Sequence, residues 1–268
     1  MTNSTQIHPS RFIIVVLAIW ILTGCYTRTE GCLDTYASNY DVSVDDSCPN
    51  CCEYPFLKLV VLDRYGDSLY VQGDTLINQF GQQYIILGLR YYVSHFRLFQ
   101  SGNELAVKET IQNDITGYNI PDDIKISKED NANLNIGMIR TYGKFDSLQF
   151  TMGISDEFLQ NSFKNLPASH VLQKLYRLND SAGNQASVIV KYRVFAPIDT
   201  TINIAISPSF KFQYTIQDSL NITQPGRTII GKVKADYKIL MDNINLNAPS
   251  EQIKEKLVEN LSNLLIVK

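Results

Sequence analysis

The chain has 268 residues, a formal net charge of -3 at pH 7, 44% hydrophobic residues and 19% charged residues. This composition supports a packed core and excludes an intrinsically disordered chain. Acidic and basic residues are scattered without the basic stripe that phosphate recognition requires, so we expect no nucleic-acid partner.

Residues 1–24 have the features of an export signal. Arg11 precedes an apolar run at 12–22, which is too short to span a bilayer but suits a signal peptide. The run ends in the sequence LTGC at 22–25, which resembles the bacterial lipobox. We expect cleavage before Cys25 and acylation of Cys25; a plain secretory signal with a chance cysteine is the alternative.

Acyl chains on Cys25 would make the membrane a partner of the protein while the folded part stays in water. The next residue, Tyr26, stands in place of the Asp that favours inner-membrane retention in enterobacteria. We therefore expect a cell-envelope lipoprotein in the outer membrane, with its periplasmic or surface orientation left open.

A short cysteine-rich segment at 25–54 follows, too small to hold a core unaided. Its remaining cysteines, Cys32, Cys48, Cys51 and Cys52, predict two disulfides in an oxidising compartment. Cys32 can pair with any of the other three, but an arrangement joining adjacent Cys51 and Cys52 is disfavoured by disulfide geometry. A zinc site is the alternative, although no second ligand pair lies nearby.

The same segment carries the pattern GC, NYD and VDDSC at 31–48. It resembles short modules found on secreted proteins of marine Bacteroidota. Asp41, Asp45 and Asp46 could supply oxygen ligands to calcium, but their spacing is not that of an EF-hand loop. A solvated acidic turn held by disulfides is the other interpretation.

The composition of residues 55–268 is typical of an antiparallel β domain, because Tyr, Val, Ile, Phe and Thr are frequent. Alternation in the run 187–195 predicts that Val188, Val190, Tyr192 and Val194 share a buried face. The sequence Ser-Gly-Asn at 101–103 predicts a hairpin turn. Six strands are predicted, at 56–64, 84–100, 148–153, 187–195, 201–207 and 211–217.

One α-helix is predicted near the C-terminus, with Ser250 as its cap and Glu251 in its first turn. An apolar stripe predicts that the helix packs on the β-sandwich; binding of a partner is the alternative. The stripe consists of Ile253, Leu257, Leu261, Leu264 and Leu265.

Catalytic motifs are absent from the sequence. The mature chain has two histidines, His95 within a predicted strand and His170 in a predicted loop, and neither belongs to a nucleophile or metal motif. A half-buried structural role is the simplest interpretation of His95. We expect a protein that is not an enzyme.

Three stretches resemble the MbnP-like domain family. Residues 83–98 with Gly102 resemble its "lrYYiSnirL...G" signature, residues 143–154 resemble its "G.yd.l.F.lGv" strand, and residues 234–237 with the late helix resemble its C-terminal part. Together they cover most of residues 56–268. The resemblance implies an immunoglobulin-like antiparallel β-sandwich and a non-enzymatic protein of the envelope that handles copper.

The copper ligands implied by the resemblance are incomplete in this sequence. Family members use histidines with an oxidised tryptophan, whereas the only tryptophan here, Trp20, leaves with the signal. Ser162 stands where the family often has a histidine. The remaining candidate ligands, of types that bind copper, are His95 and His170 with Met138, Met152 or Met241.

Two functional hypotheses follow. The first is a copper-binding or metal-handling envelope lipoprotein of the MbnP-like kind. The second is a metal-free lipoprotein whose sandwich binds a protein, glycan or cell-wall partner through an exposed patch. Metal content after purification discriminates between them.

The lipobox interpretation predicts the behaviour of a Cys25→Ser variant. We expect the wild-type chain to enter the detergent-rich phase in detergent phase separation, because its acyl chains partition with apolar surroundings. The variant should lack the mass of the acyl chains and remain in the aqueous phase. A wild-type chain with an unmodified Cys25 would contradict the prediction.

Overall fold

The structure is a computed structural model that describes residues 26–105, 124–127, 133–139, 145–154, 170–173, 177–197, 199–215 and 228–267. The signal segment, Cys25 and Ser162 lie outside the described residues. Among the described residues, no helix is both long enough and apolar enough to cross a membrane. These residues form two compact units, one of 26–34 with 39–52 and the other of 35–38 with 53–267.

The small unit is built around a parallel pair of two-residue strands, β1 (Glu30–Gly31) and β2 (Asp46–Ser47). A side chain at Gly31 would clash, because a Cβ there would lie 2.6 Å from Cγ1 of Val44.

Two disulfides join Cys32 to Cys52 and Cys48 to Cys51, the latter across the 3-10 turn Pro49–Cys51. The structure thus selects one of the pairings that the sequence left open.

The large unit contains thirteen strands and two helices within its described part. In chain order they are β3 (Phe56–Tyr65), β4 (Ser68–Leu69), β5 (Leu76–Ile77), β6 (Gln83–Gln100), β7 (Asn103–Leu105), β8 (Lys125–Ser127), β9 (Asn133–Met138), β10 (Ser147–Met152), β11 (Val188–Val194), β12 (Thr200–Ile206), β13 (Phe210–Thr215), β14 (Ile229–Asp236), α1 (Tyr237–Leu240), α2 (Ser250–Leu261) and β15 (Leu265–Val267).

The strands form two sheets. The first has the order β12-β11-β6-β10-β13, and β5, β7 and β8 also pair with β6. The second has the order β15-β14-β3-β4, with β9 also paired to β3. Within these sheets the β3 and β14 pair is parallel and every other pair is antiparallel.

The two sheets share one hydrophobic core, because alternate residues of their strands point to the same side. Leu57 and Leu59 of β3 and Tyr192 of β11 are fully buried in it. The buried face predicted for the run 187–195 is confirmed, since Val188, Val190, Tyr192 and Val194 are all buried. The predicted mainly β, antiparallel sandwich with a C-terminal helix is therefore the observed fold class.

All six predicted strands are present; their described ends differ by at most one residue, and positions 216–217 of the last predicted strand lie outside the described residues. The hairpin turn is also confirmed, because Ser101 and Gly102 have positive φ angles and β6 pairs with β7 across them. The sequence did not predict β14. Its outward-facing lysines and Gly231 are residue types that are uncommon in strands, so the strand pattern of this run is weak.

The late helix forms as predicted, but two of its details were wrong. Ser250 is the first helical residue and Pro249 occupies the cap position without a side-chain hydrogen bond. The apolar stripe continues beyond the helix, so Leu265 belongs to β15. Ile253, Leu257 and Leu261 pack into the main core, as predicted.

Shortening a fully buried side chain of β3 should destabilise the large unit. We expect Leu59→Ala to lower the free energy of unfolding by about 2 to 5 kcal/mol, because it removes buried methyl groups and leaves a cavity. Urea denaturation followed by circular dichroism measures the change. Lys58→Ala on the opposite face of the strand is the control, and an equal loss in both variants would contradict the assigned register.

Candidate functional site

The three candidate calcium ligands of the small unit are occupied by contacts within the chain. Asp45 accepts hydrogen bonds from the hydroxyl of Tyr26 at 2.6 Å and the backbone N–H of Thr29 at 2.9 Å, and these bonds lower its pKa. Asp46 lies 3.1 Å from Arg28.

Asp41 accepts hydrogen bonds from the hydroxyl and backbone N–H of Ser43, and these bonds lower its pKa. Among the described residues, no group of three or more His, Cys, Asp or Glu side chains is arranged to hold a metal ion. Calcium binding stays a prediction, and the contacts match an acidic turn with internal hydrogen bonds.

His170 is a buried residue of the large unit, two positions before Leu172 of a second, smaller hydrophobic core. It is 7% exposed, and its Nδ1 accepts a hydrogen bond from the backbone N–H of Leu172 at 3.2 Å. Nearby, the buried Tyr92 hydroxyl accepts from the backbone N–H of Leu178 at 2.8 Å. Since Nδ1 is engaged and the ring is buried, His170 contributes to packing of this core.

His95 lies at an irregularity of β6. Ser94 pairs with Thr151 and Arg97 with Gln149, so two residues of β6, His95 and Phe96, stand opposite one residue of β10. This is a β-bulge, a feature that re-aims side chains and often lies beside functional sites. His95 adopts a φ of 54°, in the left-handed region that costs a non-glycine residue about 1 kcal/mol.

The bulge places the His95 side chain in a groove of about 330 Å³ across three neighbouring strands. We call it the His95 groove, and its lining residues are His95, Arg97, Gln149, Phe150, Thr151, Lys211, Phe212 and Gln213. Strand pairing explains the arrangement, because Gln149 pairs with both Arg97 and Gln213, and Thr151 pairs with Lys211. Polar side chains thus form rows across the sheet.

Positive charge dominates the lining. The guanidinium of Arg97 donates to Glu104 at 2.6 Å, which raises the pKa of Arg97 and lowers that of Glu104. Lys211 forms no ion pair within the part of the chain that the structure describes, and it is exposed. Its exposed ammonium group adds a second cation to the groove.

Aromatic rings lie beneath this charge. Phe150 and Phe212 stack with their centroids 5.7 Å apart, and Phe212 remains partly exposed. His95 is partly exposed beside them and lines the groove. The groove therefore offers cations and amides to one ligand.

The described residues do not fit a copper centre at His95 and His170. No group of three or more His, Cys, Asp or Glu side chains in the described regions is placed to hold a metal, and Met152 and Met241 are buried in the main core. Met138 lies on β9 of the other sheet. Copper binding therefore stays a prediction from the resemblance.

Another depression, of about 370 Å³, lies beside α2. Its charges are mixed, and Lys256 pairs with Glu259 at 2.6 Å. It lacks the excess of cations found in the His95 groove.

Sequence reasoning identified His95 but not its neighbours Arg97, Gln149, Lys211 and Gln213. The available signal was the recurrence of polar residues at alternate positions of two predicted strands. Strand register decides whether such positions become neighbours, and a single strand does not reveal its register.

Neither a protein-family model nor a curated protein sequence matches the chain significantly. Among solved structures, the chain is similar to MbnP from Methylosinus trichosporium with 13% sequence identity and a TM-score of 0.39, covering 69% of this chain and 76% of that chain. Membership of the MbnP-like family stays a prediction.

The backbone conformation of His95 gives a direct test of the bulge. We expect His95→Gly to be more stable than His95→Ala by about 1 kcal/mol, because only glycine adopts a positive φ without strain. Both variants remove the imidazole, so urea denaturation isolates the backbone effect. In a regular strand the order would be reversed, since glycine destabilises strand interiors.

Proposed function

We propose that this chain is a non-enzymatic, lipid-anchored protein of the cell envelope that binds an acidic glycan in the His95 groove. The observation that carries the proposal is the row of cationic and amide side chains across β6, β10 and β13. Anchoring through Cys25 rests on the lipobox resemblance.

The charge of the groove favours an anionic ligand. Lys211 and Arg97 supply two permanent cations against one carboxylate, Glu104. The whole chain has a net charge of -3, so this positive region is a local feature of three strands. A carboxylate or sulfate group of a glycan would receive charge-assisted hydrogen bonds there.

The neutral lining favours a sugar as the carrier of that charge. Gln149 and Gln213 have amide groups that both donate and accept, as ring hydroxyls do. A volume of about 330 Å³ is within the range of small-ligand sites and accommodates part of an oligosaccharide.

Copper binding is the second candidate, favoured by the accessible imidazole of His95. One imidazole is too few for a copper site of the usual kind, and the Nδ1 of the buried His170 already accepts from the backbone N–H of Leu172. Near-stoichiometric copper that survives dialysis and disappears in both His95→Ala and His170→Ala would support this candidate over the glycan.

A charge reversal at Lys211 tests the glycan proposal. We expect isothermal titration of the purified full chain to detect an oligogalacturonate but not a neutral malto-oligosaccharide. Lys211→Glu should weaken oligogalacturonate binding at least about 10-fold, because a charge-assisted contact is replaced by repulsion. The wild-type affinity should also fall as salt is added.

Lys232→Glu is the matched control, because Lys232 is exposed on β14 of the other sheet and the change in net charge is identical. It should bind as wild type does. Equal binding of the neutral oligosaccharide, or wild-type affinity in Lys211→Glu, would refute the proposal.

A further inference from the structure

Asp63 is a carboxylate on the inward face of β3. Alternation places it in line with Leu57, Leu59 and Val61, all of which are buried. Asp63 itself is half-buried, and burial raises its pKa, while a hydrogen bond from the Tyr237 hydroxyl opposes that rise. An acid at the end of an apolar face requires a partner, since an uncompensated buried charge is costly.

A cavity of about 130 Å³ lies against this carboxylate, lined by Asp63, Tyr70, Gln72, Gly88, Leu89 and Tyr237 together with Ile86. It lies at an edge of β6 between the pairing with β5 at 83–84 and the pairing with β8 at 91–93. Leu87 is an extra residue there, because Ile86 pairs with Tyr192 and Gly88 with Lys191. This second bulge of β6 forms one wall.

Neighbouring contacts hold the cavity walls in place. Asp236 caps α1 by accepting from the backbone N–H of Lys238 at 2.9 Å, and it also accepts from Gly66 at 2.9 Å in the turn after β3. These bonds fix Tyr237 at the start of α1, beside the end of β3. The rings of Tyr70 and Tyr237 meet with centroids 4.5 Å apart.

Most donors around the cavity are already used. The Tyr70 hydroxyl donates to the carbonyl of Ile86 at 2.8 Å, and the Gln72 amide donates to that of Leu87 at 3.2 Å. The Tyr237 hydroxyl lies near Asp63, and burial, followed by the Asp63 charge, raises the pKa of Tyr237 and keeps it protonated. Asp63 and the Tyr237 oxygen are left as acceptors.

No basic side chain balances Asp63 in the described part of the chain. The ion pairs there join other residues, and the groups that act on Asp63 are its buried surroundings and Tyr237. The cavity therefore combines a carboxylate, a hydroxyl oxygen and two tyrosine rings, whose negative faces attract cations. Such a lining matches a ligand that carries both positive charge and N–H donors.

We infer that the Asp63 cavity binds a small organic primary amine, with its ammonium group donating to Asp63 and to the Tyr237 hydroxyl oxygen. Its alkyl part would lie against Ile86 and Leu89, the apolar residues of the lining. A volume of about 130 Å³ admits an ammonium group and a short chain and excludes a larger ligand. The site is separate from the His95 groove and shares no lining residue with it.

Titration of the purified full chain with n-butylammonium tests the inference, using calorimetry or ligand-observed NMR. We expect a Kd on the order of 1 mM for this five-atom ligand. Asp63→Asn should weaken binding about 10-fold or more, because it removes the charge while leaving an oxygen that accepts from Tyr237. Its thermal midpoint should equal or exceed that of wild type, since a half-buried charge is removed.

Three comparisons make the test decisive. Asp67→Asn makes the same charge change at an exposed turn position and should bind as wild type does. Neutral n-butanol and tetramethylammonium should each bind at least about 10-fold more weakly, because one lacks the charge and the other lacks N–H donors. Lys211→Glu should leave amine binding unchanged.

Failure of n-butylammonium to bind would overturn the inference. Wild-type affinity in Asp63→Asn would also overturn it, as would equal affinity for n-butanol or tetramethylammonium. A folded Asp63→Asn variant that loses binding, with Asp67→Asn unaffected, supports it.

Discussion

The backbone pairing of β6 is the constraint on which the larger sheet depends. This 18-residue strand pairs with β10 and β11 along its length and with β5, β7 and β8 over shorter stretches. Buried backbone N–H and C=O groups must form hydrogen bonds. Because β6 has neighbouring strands on both edges, its backbone hydrogen bonds fix the positions of those strands. Its burial reflects this, with Tyr91, Tyr92, Val93 and Ser94 all buried in succession.

Both candidate binding sites lie where β6 departs from regular pairing. At His95 the extra residue opens a groove toward β10 and β13, and at Leu87 another extra residue adjoins the Asp63 cavity. A bulge interrupts the ladder and turns side chains away from strict alternation. One strand thus gives the sheet its continuity and creates two polar openings in it, one rich in cations and one acidic.

The small unit is stabilised by different interactions from those of the large unit. Two disulfides and the hydrogen bonds of Asp41 and Asp45 stabilise this unit, whereas a hydrophobic core stabilises the large unit. Segments of this size bury too little apolar surface to fold unaided, and covalent links reduce the entropy of their unfolded chains. The carboxylates of Asp41 and Asp45 thereby accept hydrogen bonds from within the turn itself.

The sequence by itself determined the mainly β class, the six principal strands, the hairpin at Ser101 and Gly102, and the late helix, because these depend on local periodicity and turn chemistry. It did not determine the parallel neighbour of β3, the choice of Cys52 as the partner of Cys32, or the surroundings of His95 and Asp63. Those depend on register between distant strands and on bulges, which shift whole sets of side chains between faces. Only the tertiary structure brings Lys211 beside His95 and Tyr237 beside Asp63, since each pair lies more than a hundred residues apart in the chain.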